Sequence, residues 1–176
     1  MDSAIGAILL AYYMTHKSEY HSDPGNYENF WIPVINCPRG ELIARLDISY
    51  HLKHFGIDIE SLVYINDLNI DFYSNNNLLS LAIIDHNKLD FTQQNWEKAV
   101  TYIIDHHVDQ KAYPDLEKVL TFCGSACSLV VNLMFEKNFA DDLLTKEICD
   151  FFAAPILLDT ENLNPQLKNT KWSSID

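Results

Sequence analysis

The sequence predicts an α/β fold, doubly wound, with a mainly parallel sheet that carries helices on both faces. Short runs of residues that are apolar throughout alternate along the chain with segments of helical spacing, which is the pattern of parallel strands buried on both faces. Two of these runs end in the same polar pair, Asp85-His86 and Asp105-His106. The length of 176 residues suits one domain with a sizeable core, so we expect a single domain over residues 1–176.

The first predicted element is a helix over residues 3–16, which is apolar on nearly every side and is therefore expected to be buried. Asp2 or Ser3 would cap it. A polar loop follows over residues 17–29. The next predicted elements, in order, are a strand over residues 30–35, a helix over 41–54, a strand over 62–65 and a loop over 66–77.

The C-terminal half begins with a continuous apolar run that predicts a buried strand over residues 78–84. Further runs predict strands over residues 100–104 and 119–122, and helical spacing predicts helices over 92–98, 125–135 and 145–158.

Composition and charge restrict the class of function. Hydrophobic residues make up 48% of the chain and charged residues 21%, as in a globular protein. The net charge of −13 argues against nucleic acid and anionic membranes, which bind basic surfaces. Divalent cations can invert a local negative charge, so phosphate substrates stay open. Cys123 and Cys127 lack metal-finger spacing and are expected to be buried free thiols, as in a reducing cytoplasm.

Two strand ends carry the residues of a candidate metal site. The runs ending at Ile84 and Ile104 continue into Asp85-His86-Asn87 and Asp105-His106-His107. Side chains just past the carboxyl ends of parallel strands face one crevice, so we expect these groups to converge. Carboxylate oxygen and imidazole nitrogen are ligands of Mn²⁺, Mg²⁺ and Zn²⁺.

Two more carboxylates extend this set. The apolar segment 153–158 ends at Asp159, and Asp2 stands at the start of the first helix. A single Asp-His pair is more often a turn or a helix cap. The repeated pair after buried strands favours a metal site, with one ion or two.

Three other residues are candidates for phosphate contacts. Residues 124–128 open a predicted helix, whose free N–H groups would either hold a phosphate or be capped by Ser125. Arg39 and Arg45 carry planar guanidinium groups that suit phosphate, although surface arginines on a solvated helix face have the same pattern.

The ordered motifs resemble the DHH phosphoesterase superfamily, and within it the branch of Prune, eukaryotic exopolyphosphatases and family II inorganic pyrophosphatases. The resemblance covers nearly the whole chain and is most specific to the Prune-like exopolyphosphatases. The motifs that carry it are Asp2-Ser3-Ala4, the segment 33–42 with Arg45 behind it, Asp85-His86-Asn87, Asp105-His106-His107, Gly124-Ser125-Ala126-Cys127-Ser128 and the segment 154–160.

The resemblance implies hydrolysis of polyphosphate or pyrophosphate by water activated on Mn²⁺ or Mg²⁺. It implies a bridging metal ligand at Asp85, with Asp2, His106 and Asp159 as further ligands. His107 would contact phosphate, so Asp85, His106 and His107 form the implied catalytic set. Arg39, Arg45 and Ser125 are the implied substrate-binding residues.

The chain also departs from the family pattern at both ends. Members begin with a strand and an Asp-x-Asp motif, whereas Met1 directly precedes the residue that matches the last of those aspartates. One ion would therefore keep four ligands and the other only Asp85. Members also continue into a C-terminal lid domain, and the resemblance implies that this domain would begin only beyond Asp176. We expect exposed apolar surface around residues 5–10 and marginal stability.

Two alternative functions stay open. One is a catalytically impaired binding or regulatory module that acts through protein partners. The other is a nucleotide phosphodiesterase, which an aromatic base-stacking surface would support. The aromatic residues lie scattered in apolar runs and are expected in the core.

Overall fold

Helices and parallel strands alternate in the computed structural model, which describes residues 1–21 and 31–176. The α-helices are α1 Asp2–His21, α2 Arg39–Ala44, α3 Leu46–His54, α4 Ile70–Asn75, α5 Ala126–Glu136, α6 Ala140–Leu143 and α7 Lys146–Asp159. The strands are β1 Val34–Ile35, β2 Val63–Tyr64, β3 Leu81–Ile84, β4 Val100–Asp105 and β5 Glu117–Leu120. Short 3₁₀ helices cover Ile59–Ser61, Ile65–Asp67, Phe91–Ala99 and Pro165–Leu167.

The described strands form two parallel pieces of sheet. One has the order β3-β4-β5, and the other pairs β1 with β2. Ile84 lies opposite Ile104, and Asp105 lies opposite Leu120. The prediction of an α/β fold with parallel strands is confirmed, and the carboxyl ends of β3 and β4 lie side by side.

Both faces of the three-stranded sheet are covered. Successive side chains of β4 point to opposite sides of the sheet and enter two different cores. Tyr102 and Ile104 belong to a large core that α1, α5 and α7 help to build. Ile103 belongs to a second, smaller core to which Trp96 contributes from the 3₁₀ helix Phe91–Ala99. The helix predicted over residues 92–98 therefore exists as a 3₁₀ helix.

Helix α1 is longer and better covered than the sequence predicts. It continues to His21, so residues 17–21 are helical, and the rest of the predicted loop 17–29 lies outside the described residues. Ile5, Leu9 and Leu10 are 0%, 0% and 4% exposed. The expectation of exposed apolar surface around residues 5–10 is wrong, because α5, α7 and β3 pack against this helix.

Three further elements differ from the prediction. The helix expected over residues 41–54 is two helices, broken at Arg45, with buried residues Leu42 and Leu52 on either side of the break. The loop expected over 66–77 contains α4, whose first turn Asn69 caps by accepting a hydrogen bond from the N–H group of Phe72. Strand β3 is shorter than residues 78–84, and Leu78 is 67% exposed.

Candidate metal centre

Acidic and imidazole side chains meet where β3 and β4 end. Asp85 directly follows β3, and Asp105 is the last residue of β4. One potential ligand atom from each of four residues lies within 4.8 Å of the others, and these residues are Asp85, Asp105, His106 and His107. The predicted convergence is therefore confirmed for Asp85 with Asp105, His106 and His107, whereas His86 lies outside this cluster.

His106 is held in an orientation that suits a metal ligand. Its Nδ1 atom lies 2.9 Å from the carbonyl oxygen of Cys123, and its Nε2 atom lies 3.1 Å from Oδ1 of Asp85. A carbonyl oxygen only accepts, so Nδ1 carries a hydrogen and the lone pair of Nε2 in the neutral ring faces the carboxylate. A backbone carbonyl behind a histidine is a common way to fix a metal-binding tautomer.

Without a cation, His106 takes up a proton readily. Burial opposes the charge on the ring, but the hydrogen bonds to Asp85 and Cys123 and the negative charge of Asp2 outweigh it and raise the pKa of His106 to about 9. The same electrostatic field that attracts this proton would attract a divalent cation.

Asp85 is placed by an unusual backbone conformation. Its φ angle is +65°, which L-residues rarely adopt. Its N–H group donates to the carbonyl oxygen of Ile104 at 2.9 Å, and Ser3 donates its hydroxyl to Oδ2. Burial works against ionisation, but the hydrogen bonds from His106 and Ser3 lower the pKa of Asp85 below its ordinary value. The carboxylate is therefore ionised and ready to bind a cation.

Asn87 is a buried residue to which the sequence assigned no role, and its partner Asp105 belongs to the set of groups predicted to converge. Asp105 is fully buried, and it accepts hydrogen bonds from Asn87 Nδ2 at 2.5 Å, His107 Nδ1 at 2.7 Å and the N–H group of His106 at 2.8 Å. Asn87 is 1% exposed and also accepts from the N–H group of Gln110 at 2.8 Å. Their position in the two repeated motifs is the sequence feature that could have indicated this pairing.

Asp2 connects the cluster to α5. Its carboxylate accepts hydrogen bonds from the Ser125 hydroxyl and the Ala126 N–H group, both at 2.7 Å, and from the Cys127 N–H group at 3.3 Å. Its Oδ2 atom lies 3.7 Å from Nε2 of His106. Asp2 is inside the first turn of α1, so the expectation that its side chain caps this helix is wrong. It stabilises the start of α5 instead.

Asp159 ends α7 and carries a buried oxygen, Oδ2, that has no hydrogen-bond partner among the described residues. Burial raises the pKa of the Asp159 carboxyl, and the negative charges of Asp2 and Asp85 raise it further. Asp159 thus lies within electrostatic reach of the cluster. An unpartnered carboxylate oxygen beside other carboxylates and a prepared imidazole fits a divalent cation.

The predicted substrate-binding residues have partners within the fold. Arg39 donates to Asp67 at 2.9 Å and to Glu60 at 3.2 Å, and it lies over the Tyr64 ring. Arg45 pairs with Asp47 at 3.2 Å.

Ser125 is fully buried, donates to Asp2 and accepts from the N–H group of Cys127. The cap interpretation of residues 124–128 is therefore confirmed. Phosphate binding by Ser125, Arg39 and Arg45 stays a prediction.

Two further observations concern the cysteines and the length of the helices. All four cysteines are free, and Cys123 and Cys127 are buried, as predicted. Among the described helices, none combines the length and apolar character needed to cross a bilayer.

The sequence matches known proteins over most of its length. The model of the DHH family, N-terminal domain, matches residues 1–156. Exopolyphosphatase PRUNE1 of Rattus norvegicus is 27% identical over 168 residues, which are 95% of this chain and 35% of the relative. The PRUNE1 protein of Homo sapiens is 26% identical over 165 residues, or 93% of this chain and 34% of the relative. A putative exopolyphosphatase of Schizosaccharomyces pombe is 28% identical over 189 residues, which cover 100% of this chain and 45% of the relative. The chain thus spans less than half the length of these relatives.

Proposed function

Because the chain belongs to the DHH family, we propose that it hydrolyses inorganic phosphoanhydrides, short-chain polyphosphate or pyrophosphate, with Mn²⁺ or Mg²⁺ as the cofactor. The convergence of Asp85 and His106 at the ends of neighbouring parallel strands is the observation that carries the proposal. The names of the similar exopolyphosphatases support this class of substrate.

Four residues would hold the cation: Asp2, Asp85, His106 and Asp159. A bound divalent ion supplies an activated water molecule and neutralises charge on the phosphate. The protein contributes the orientation of its ligands. Cys123 fixes the ring of His106 through its carbonyl oxygen, and Ser3 holds the carboxylate of Asp85.

His107 is the proposed phosphate contact. Asp105 holds its Nδ1 atom at 2.7 Å, which leaves Nε2 to meet a substrate, and the side chain is 59% exposed. An imidazole fixed at Nδ1 by a buried carboxylate keeps its Nε2 atom aimed at one position. The imidazolium form of His107, which carries a hydrogen on both ring nitrogens, would donate from Nε2 to a phosphate oxygen next to the metal.

Arg39, Arg45 and Ser125 complete the proposed substrate contacts. Arg45 is the most accessible of the three, since its side chain is 59% exposed and its partner Asp47 is also exposed to solvent. Exposed ion pairs exchange partners at little cost, so a polyphosphate chain would compete with Asp47. We further propose a cytoplasmic location, with protein partners and without nucleic acid or a membrane as ligands.

Phosphate release from tripolyphosphate and pyrophosphate in the presence of Mn²⁺ tests the proposal. We expect activity that Asp85→Asn abolishes and that Asp141→Asn, a change at an exposed aspartate of α6, leaves intact. A folded chain that binds Mn²⁺ but releases no phosphate would support the binding module instead. Release confined to nucleotide esters would favour the phosphodiesterase.

A further inference from the structure

A second cavity lies at the same edge of the fold as the metal cluster. It has a volume of about 390 Å³, and none of the cluster residues lines it. Its lining includes Asn36, which follows β1, and His86, which follows β3 by two residues. The cavity is therefore at the carboxyl ends of strands from both pieces of sheet, where parallel α/β folds bind ligands.

Gln93 is the residue that points to a ligand. Gln93 lines the cavity although the residue is only 8% exposed. Its Nε2 atom donates to Oδ1 of Asn36 at 2.7 Å, whereas its buried Oε1 atom has no hydrogen-bond partner among the described residues. A buried carbonyl oxygen without a donor is costly. A ligand that brings an O–H or N–H group would relieve this cost after the Gln93 side chain turns Oε1 towards the cavity.

The other lining residues indicate what kind of ligand would bring that donor. Four carboxamides surround the cavity: Asn36, Gln93, Gln94 and Gln110. Each carboxamide both donates and accepts, and hydroxyl groups are the complementary partners because they also do both. Leu89 and the rim residue Phe91, which is 77% exposed, add apolar surface.

The charged groups indicate one anionic substituent and no more. Lys88 lines the cavity with an exposed side chain, and His86 adds an imidazole whose Nδ1 atom lies 2.9 Å from the carbonyl oxygen of Ile84. Asp90 introduces a negative charge, although one of its oxygens already accepts from Thr92. A long polyanion would need more positive charge than this wall offers.

We propose that this cavity binds a phosphorylated sugar or polyol. Its hydroxyl groups bond to Gln93, Asn36 and the neighbouring carboxamides, and its phosphate lies against Lys88 and His86. Phe91, the one aromatic residue among the described lining residues, is 77% exposed, and the lack of a buried ring on which a base could stack favours a polyol over a nucleobase. This binding site is separate from the candidate metal centre, and it binds its ligand whether or not the protein hydrolyses phosphoanhydrides.

Calorimetric titration of the full chain, stripped of metal with a chelator, tests the proposal. The probes are a hexose monophosphate, glycerol phosphate and inositol monophosphate, with adenosine monophosphate and tripolyphosphate for comparison. We expect at least one of the first three to bind, and both Gln93→Leu and Lys88→Met to weaken binding about tenfold. Gln166→Leu and Lys98→Met, which change exposed residues outside the cavity, should not change the affinity.

Several outcomes would overturn the assignment. It fails if none of the three sugar or polyol phosphates binds, or if adenosine monophosphate binds more tightly than all of them. It also fails if tripolyphosphate binds equally well and Gln93→Leu has no effect. Lys88→Met keeps the test valid if Gln93→Leu disturbs folding, since Lys88 is exposed. Because the titrated protein has been stripped of metal, the binding result does not depend on whether the protein hydrolyses phosphoanhydrides.

Discussion

The Nε2 atom of His106 lies 3.1 Å from Oδ1 of Asp85, across the carboxyl ends of two adjacent strands. A carboxylate and an imidazole in this relationship share a proton when no metal is present and share a cation when one is bound. We therefore expect this pair to determine how the free energy of unfolding depends on pH and how the affinity for a metal ion depends on pH.

Without metal, we expect the free energy of unfolding to fall as the pH rises from about 6 to about 9. The pKa of His106 is raised from 6.5 to about 9 in the folded chain. Its contribution is therefore fully present below the unfolded pKa and is lost as the pH rises towards the folded one. Urea unfolding at a series of pH values in a chelator measures it, and His106→Gln should flatten the slope. An unchanged slope in that variant would assign the effect to other groups.

With Mn²⁺, the pH dependence of binding should have the opposite sign. The ion needs the lone pair of Nε2 that the proton otherwise occupies, so we expect the affinity to increase with pH over the same range. Calorimetric titration measures it, and Asp159→Asn should weaken binding because it changes a buried oxygen that has no hydrogen-bond partner among the described residues. Equal affinity in Asp159→Asn and in the exposed control Asp141→Asn would remove Asp159 from the ligand set.

Asn87→Leu should destabilise the fold by about 1–3 kcal/mol or somewhat more. The substitution has a similar size but leaves the fully buried Asp105 carboxylate without its 2.5 Å donor and the N–H group of Gln110 without its acceptor. Chemical denaturation gives the value. Asn95→Leu, at an exposed position of the 3₁₀ helix, is the matched control. Equal stability of the two variants would show that the Asp105 network does not depend on Asn87.

Gly124→Ala should cost about 1–3 kcal/mol through overpacking. A Cβ atom at this position would lie 2.5 Å from the Cγ2 atom of Thr160 and 3.2 Å from the Cβ atom of Trp172. Gly40→Ala is the matched control in α2, where nothing lies within 4 Å, and it should be neutral or stabilise by about 0.5–1 kcal/mol. Thermal unfolding of the two variants compares them directly, and equal midpoints would contradict the predicted clash.

The parts of the fold that could be predicted depend on local pattern. Strands β3 and β4 are mostly apolar because both of their faces are buried, and this pattern is visible in the sequence. The motifs at their ends predicted that Asp85 and His106 would converge. The break at Arg45 was not predicted, because Leu42 and Leu46 keep the i, i+4 spacing of a continuous helix across it.

The contacts that complete the site join residues far apart in the chain. Asp2 accepts from the N–H group of Ala126, which is 124 positions away, and Arg39 donates to Asp67, which is 28 positions away. Nothing near Asp2 in the sequence shows that its carboxylate reaches the start of α5, since that depends on how α1 packs against α5.

The sequence by itself determined the class of fold, the family and the two strand ends that carry the candidate metal-binding groups. Periodicity and motif spacing express local burial and local backbone preference, and these are sufficient for such predictions. Only the tertiary structure decided that Asp105 and Asn87 form a buried network, that Asp2 caps α5 and that Gln93 lines a second cavity. These features depend on which elements pack together, and that packing is governed by hydrophobic burial over the whole chain.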